Sequence, residues 1–98
     1  MIMTVLEARV QKERWGALRA AWEDQTRRMR PPQLIESFLV QDANDGDRWR
    51  IVSLWPDRAA LEEMRKAEPT PGGVVIFRAA GAEPELSLFD VSAVLPRA

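Results

Sequence analysis

The sequence contains no cysteine, no histidine and no tyrosine. Without cysteine the chain can form no disulfide and offers no thiolate nucleophile. Without histidine it lacks the side chain that most often serves as a general base or a metal ligand. These absences exclude most familiar catalytic centres and leave carboxylates as the obvious proton acceptors.

Neither sign of charge predominates, since 14 Lys and Arg stand against 15 Asp and Glu and the net charge is −1. The protein therefore offers a nucleic acid no general attraction. No apolar run approaches the roughly 20 residues of a membrane span, and Met1-Ile2-Met3-Thr4 lacks the basic start of a secretory signal. We expect a soluble, cytoplasmic protein that binds neither nucleic acid nor a membrane.

A chain of 98 residues predicts a single domain, residues 1–98, because domains usually contain about 100–200 residues. The spacing of apolar residues predicts strands where it has a period of two and helices where it has a period near 3.6. The predicted strands are Met3–Val10, Gln33–Gln41, Arg48–Trp55 and Glu85–Leu95, and the predicted helices are Lys12–Met29 and Arg58–Ala67. Val74–Ala80 could be a strand or a short helix, and Thr70, Pro71 and Gly81 at its ends favour the short helix.

Local signals mark the ends of these elements. Pro31-Pro32 ends the first helix, and the Asn, Asp and Gly residues of Asp42–Asp47 predict a hairpin turn. Asp57 is placed to cap the second helix, Thr70 to cap the third, and Gly81 to end the third in a left-handed conformation. The order is therefore β-α-β-β-α-(short α)-β, which predicts an α+β ferredoxin-like plait whose four-stranded antiparallel sheet carries two helices on one face.

The predicted strands are largely apolar on both faces. In the third strand, for example, Ile51 and Trp55 point to one face while Val52 and Leu54 point to the other. Two helices cover only one face of a sheet, and a solvated second face would alternate apolar with polar residues. We therefore predict a homodimer in which two sheets pack face to face about a two-fold axis.

The segment Trp55-Pro56-Asp57-Arg58-Ala59-Ala60-Leu61-Glu62-Glu63-Met64 closes the third strand with a tryptophan and enters a capped helix directly. It resembles the antibiotic biosynthesis monooxygenase family of dimeric α/β barrels, and the order of elements agrees over nearly the whole chain. The resemblance implies a pocket between the sheet and the two helices of each protomer. In that family some members oxygenate flat aromatic polyketides without metal or flavin, and others bind and degrade haem.

The haem-degrading relatives carry a histidine where Met64 stands and an asparagine on the first strand, whereas the only asparagine here is Asn44 in the hairpin turn. We therefore expect no haem degradation by the family's route, no metal and no cofactor. Met64 is more often a residue that fills the core than a thioether ligand.

The family motif singles out Trp55 as a wall of the pocket. The residues that we predict to contact a small aromatic ligand are Trp55, Trp22, Phe38, Met64 and Phe77. Large aromatic rings of this kind are also common in ordinary cores and interfaces, and that is the more frequent role for Trp15, Trp22 and Trp49.

Trp55, Arg9 and Glu7 are the candidates for catalysis. Arg9 would stabilise an anionic state of the substrate, and Glu7 or Glu36 would accept a proton. The alternative is structural, because charges inside apolar strands often form ion pairs. Glu7 and Arg9 share a strand face and could pair with each other.

Two functions remain open. The first is a cofactor-independent monooxygenase for a small electron-rich aromatic substrate, in which the deprotonated substrate donates an electron to dioxygen. The second is a non-catalytic dimer that uses the same cavity to bind a small apolar ligand, or that serves as a structural domain.

Overall fold

Four strands and three helices follow one another in the predicted order. The computed structural model describes residues 1–97. The strands are β1 (Ile2–Arg9), β2 (Glu36–Gln41), β3 (Arg48–Trp55) and β4 (Glu85–Asp90). The helices are α1 (Trp15–Arg28), α2 (Arg58–Ala67) and α3 (Gly72–Ala79), and a 3-10 turn at Lys12–Arg14 leads into α1. Among the described residues, none of the helices has the length and apolar character that a bilayer crossing requires.

The four strands form one sheet in the order β2-β3-β1-β4, and every neighbouring pair is antiparallel. Successive residues of a strand point to opposite faces. The helices pack against the face that carries Ile2 and Ala8 of β1 and Ile51 and Trp55 of β3. The predicted ferredoxin-like plait is confirmed.

The core consists of two clusters of buried residues on this helix-facing side. The larger cluster joins the sheet to α1 and α3 and contains Ala8, Val10, Leu18, Trp49, Ile51, Ile76, Phe77 and Ala80. The smaller cluster joins the sheet to α2 and contains Ile2, Trp55, Leu61 and Met64. Because α2 and α3 pack against different parts of the sheet, space remains between the two clusters.

The opposite side of the sheet, which we call the open face, carries no helix within residues 1–97. By strand alternation its apolar side chains are Met3, Val5, Phe38, Val40, Val52, Leu54 and Phe89. Phe38 is 43% exposed and Phe89 is 53% exposed. The predicted second apolar face is therefore present.

Two strands are shorter than predicted. β2 begins at Glu36 rather than Gln33, because a turn closed by the Leu34 N–H on the Pro31 carbonyl oxygen, 3.1 Å, occupies the residues before it. β4 ends at Asp90 rather than Leu95, because its partner β1 begins at Ile2. Beyond Asp90 the Val91 N–H still donates to the Met1 carbonyl oxygen at 3.0 Å.

Helix ends follow two of the three predicted signals. Asp57 caps α2, since its Oδ1 accepts a hydrogen bond of 2.8 Å from the Ala60 N–H. Gly81 follows α3 with φ +74°, the left-handed region in which glycine has no steric penalty. The prediction for Thr70 is wrong, because α3 begins at Gly72 and Pro71 stands at the cap position without a side-chain bond.

We expect Gly81→Ala and Gly16→Ala to change stability in opposite directions. Gly81→Ala forces a Cβ into the left-handed region and should lower the free energy of unfolding by about 1–2 kcal/mol. Gly16 lies in α1, where an added Cβ meets no atom within 4 Å. Gly16→Ala should therefore raise stability by up to about 1 kcal/mol. Urea unfolding followed by circular dichroism measures both, and a neutral Gly81→Ala would contradict the left-handed helix end.

Candidate functional site

A partly open cavity of about 220 Å³ lies between the helix-facing side of the sheet and all three helices. Its walls are mainly apolar. The sheet contributes Leu6, Ile51 and Trp55, and the helices contribute Trp22, Leu61, Met64 and Ile76. The cavity therefore occupies the space between the two core clusters.

Trp55 is the last residue of β3 and forms one wall of this cavity. Its indole Nε1 donates a hydrogen bond of 3.0 Å to Thr4 Oγ1 on the neighbouring strand. Both residues are buried, so this bond satisfies an N–H group that would otherwise be costly to remove from water. The bond also fixes the orientation of the ring against the sheet.

Three hydroxyl groups, which we call the hydroxyl row, lie on the cavity floor. In the strand register Ser53 is opposite both Thr4 of β1 and Ser37 of β2. The Oγ atoms of Ser37 and Ser53 are hydrogen-bonded at 2.8 Å. All three residues line the cavity, so its floor is polar while most of its walls are apolar.

Polar side chains of the helices and of the α2–α3 connection also line the cavity. Thr26 of α1 donates to the Trp22 carbonyl oxygen at 2.7 Å. Arg65 and Glu68, both half-buried, lie at the end of α2. Glu68 is the one carboxylate among the residues that line the cavity in the described chain.

A shallow groove continues from the cavity between the end of α1 and the start of β2. It shares Trp22, Thr26 and Leu34 with the cavity and adds Arg30 and Glu36. The groove and the cavity are therefore contiguous.

The structure brings three of the five predicted ligand-binding residues together. Trp55, Trp22 and Met64 line the cavity. Phe38 points to the open face, and Phe77 is fully buried in the larger core cluster, outside the cavity lining.

The other two tryptophans belong to the larger core cluster. Trp15 packs edge-on against Trp49, with ring centroids 5.9 Å apart, and its Nε1 donates to the Val10 carbonyl oxygen at 2.9 Å. The Arg19 guanidinium lies over the Trp49 ring at 5.6 Å. Both rings therefore serve packing rather than the cavity.

Glu7 and Arg9, two of the predicted catalytic candidates, lie on the open face and not in the cavity. Strand alternation turns Thr4 and Leu6 toward the helices and therefore turns Glu7 and Arg9 away from them. Glu36 also lies outside the cavity lining and borders the adjoining groove.

The suggested pairing of Glu7 with Arg9 is wrong. Glu7 Oε1 is 2.7 Å from Arg50 Nε, directly across from it on β3, and Arg9 Nη2 is 3.0 Å from Asp45 Oδ2 in the hairpin turn. Arg50 also reaches Asp42 at 3.2 Å. Hydrogen bonds from the Asn44 backbone N–H and from Arg50 hold the pKa of the Asp42 carboxyl below its usual value.

Sequence reasoning missed Thr4, Ser37, Ser53 and Glu68. The signal for the hydroxyls was present, because Thr4 and Ser53 interrupt the inward-facing positions of two otherwise apolar strands. Within residues 1–97 no group of three or more acidic side chains could hold a metal ion.

The family model for antibiotic biosynthesis monooxygenases matches residues 1–70. The chain belongs to this family. The resemblance carried by Trp55–Met64 is thereby confirmed, and both the strand end and the α2 helix of that segment lie within the match. A search of curated proteins found no significant match.

Solved structures share the fold at low sequence identity. A provisional antibiotic biosynthesis monooxygenase from Deinococcus radiodurans has a TM-score of 0.76 and 8% identity, with 100% of this chain and 99% of that chain covered. A single-residue variant of SnoaB, a cofactor-independent oxygenase from Streptomyces nogalater, has a TM-score of 0.72 and 18% identity. The match covers 98% of this chain and 97% of the SnoaB chain. A conserved protein from Methanosarcina mazei has a TM-score of 0.70 and 14% identity over 90% and 89%.

The bond between Trp55 and Thr4 predicts different effects for two substitutions of Thr4. Thr4→Val keeps the shape of the side chain but leaves the indole N–H buried without a partner, so stability should fall by about 1–3 kcal/mol. Thr4→Ser keeps the acceptor oxygen and should lose less than Thr4→Val. Urea unfolding measures both free energies, and an equal loss in the two variants would show that the hydrogen bond does not fix the tryptophan.

Proposed function

We propose that this protein is a cofactor-independent monooxygenase that acts on a small electron-rich aromatic compound in the cavity beneath Trp55. The observation that carries the proposal is an apolar cavity, walled by two tryptophans, in a chain of the monooxygenase family. The similar fold of SnoaB, described as a cofactor-independent oxygenase, adds support.

The size of the cavity favours a ligand of about two fused rings. An apolar cavity of about 150 Å³ in another protein holds benzene, and the cavity here has a volume of about 220 Å³. A larger substrate would extend into the groove that adjoins Trp22 and Leu34. Flat apolar walls orient such a molecule, and exclusion of water protects a reactive intermediate.

The proposed reaction needs no reductant other than the substrate. A methylene group next to an aromatic ring loses a proton, and the resulting carbanion gives one electron to dioxygen. The substrate radical and superoxide then combine to form a carbon–oxygen bond. The peroxide anion formed in this way takes up a proton to become a hydroperoxide. The hydroperoxide then loses its remaining C–H proton and a hydroxide ion, together one water molecule, to give a ketone. One oxygen atom enters the product, the other leaves as water, and all four electrons come from the substrate.

Glu68 is the proton acceptor that this geometry supports. It is a carboxylate that lines the cavity, whereas Glu7 lies across the sheet. Arg65, one helical turn before it, also lines the cavity and would favour an anionic substrate.

A non-catalytic ligand-binding protein is the second candidate. The observation that favours it is the chemistry of the cavity floor, where the polar groups are the neutral hydroxyls of Thr4, Ser37 and Ser53. Such a site binds and orients a ligand without transferring a proton.

Oxygen uptake with anthrones tests the proposal, after subtraction of spontaneous oxidation. The protein should accelerate uptake, and Trp55→Ala should lower kcat/KM about 100-fold, the cost of a misplaced substrate. Trp15→Ala makes the same substitution outside the cavity and should keep activity in the folded protein. Thermal stabilisation by these compounds without any oxygen uptake would favour the ligand-binding protein instead.

We also propose that two copies associate through the open face, as the sequence predicts. All the helices of residues 1–97 pack on the other side, and Phe38 and Phe89 are left substantially exposed. Glu7 and Arg50, which lie at one end of this face, pair with each other. A two-fold axis would place identical apolar surfaces in contact.

Sedimentation equilibrium at micromolar concentration should find a dimer. Phe38→Asp together with Phe89→Asp places charges on the open face and should yield monomers. Val75→Asp is the control, because Val75 on α3 is 40% exposed and lies away from the open face. A wild-type protein that is entirely monomeric would refute the dimer.

A further inference from the structure

The hydroxyl row places polar side chains at the centre of the sheet, beneath a mainly apolar cavity. Thr4 and Ser53 are each only 8% exposed, and with Ser37 they cross the centre of the sheet in one line of the strand register. All three line a cavity whose remaining walls are mainly apolar. Buried polar groups need hydrogen-bond partners, so the partners of these hydroxyls decide what the cavity floor can bind.

The hydroxyl row has more hydrogen-bond donors than the protein itself uses. Each hydroxyl supplies one donor hydrogen and two acceptor lone pairs. Thr4 Oγ1 accepts from Trp55 Nε1 and donates to no group among residues 1–97. The bond between Ser37 and Ser53 uses one of their two hydrogens. Two donor hydrogens on the cavity floor are therefore left for a ligand.

We propose that the hydroxyl row binds an acceptor oxygen, a ketone or phenolate oxygen, at the edge of a planar aromatic ligand. The inference rests on the proposed use of the cavity for an aromatic compound and specifies the class of compound. An acceptor oxygen can accept hydrogen bonds from Thr4 and from one serine. A hydrocarbon would displace water from both hydroxyls and leave them without a partner, which costs their desolvation free energy.

Trp55 gains a second role in this arrangement. Its indole N–H donates to Thr4 Oγ1, and a hydroxyl that accepts one hydrogen bond becomes a stronger donor of the next. The chain from Trp55 through Thr4 to the ligand oxygen thus orients the ligand as well as enclosing it. Trp55 is in this respect a positioning residue.

Two probes that differ only in one oxygen test the inference. 1-Tetralone and tetralin share a two-ring skeleton, and only 1-tetralone carries a ketone. NMR titration that follows the indole N–H resonance of Trp55 gives both dissociation constants. The wild-type protein should bind 1-tetralone about three- to tenfold more tightly than tetralin, the range expected for one net hydrogen bond.

The double variant Ser37→Ala/Ser53→Ala removes two hydroxyls without leaving either partner unsatisfied, so it should fold normally. Its preference for 1-tetralone should fall to about two- to threefold, because Thr4 keeps one of the two donor hydrogens, while its affinity for tetralin is unchanged or higher. Thr26→Val is the matched control. Thr26 lines the same cavity, but its hydroxyl already donates to the Trp22 carbonyl oxygen, so the preference should persist.

An unchanged preference in the double variant would overturn the inference, and so would equal binding of the two probes or no binding of either by the wild-type protein. In the last case the row holds only water.

The oxygenase proposal fails separately. A retained preference for 1-tetralone without oxygen uptake refutes the oxygenase and supports the row, whereas oxygen uptake with equal binding of the probes refutes the row alone.

Discussion

The pairing register of β1 with β3 is the constraint on which the rest of the structure depends. Because side chains alternate along a strand, this register turns Thr4, Ser53 and Trp55 toward the helices and Glu7 and Arg50 away from them. A slip of one residue would exchange the two sets. It would place the ion pair in the cavity and the cavity floor on the open face. The distinction between a ligand site and a charged surface is thus settled by backbone hydrogen bonds.

The cavity exists because no single element fills the middle of the helix layer. α1 and α3 pack over Trp49 and Ile51, while α2 packs over Ile2 and Trp55. Gly73 lets α3 approach the sheet closely, since a Cβ at that position would lie 2.5 Å from Leu6 Cδ1. The wall of the cavity is therefore formed mostly by strand and helix residues, with Trp55 held by its bond to Thr4. Such a site is suited to orienting a flat molecule.

Most of the fold followed from the sequence because its signals are local. The period of apolar residues locates the four strands and the first two helices, whereas α3 is predicted from the residues at its ends. Asp57 and Gly81 mark helix ends correctly. Where the prediction erred, the cause was tertiary, as for β4, whose last residue is set by where β1 begins. The site was harder to predict. A family motif points to Trp55. Aromatic character alone does not tell whether a ring lines the cavity, and Phe38 lies on the open face while Phe77 lies in the larger core cluster.

Strand alternation alone decides on which face of the sheet the charged candidates Glu7 and Arg9 lie. Both are candidates because a charged side chain inside an apolar strand is costly to remove from water. Strand alternation places both on the face opposite Thr4 and Leu6, and the neighbours that neutralise them, Arg50 and Asp45, come from β3 and the hairpin turn. The less conspicuous hydroxyls occupy the inward positions instead. In the proposed reaction the substrate supplies the electrons, so the protein needs to supply only a proton acceptor, for which Glu68 is the candidate, and orientation, which neutral hydroxyls with free hydrogens can provide.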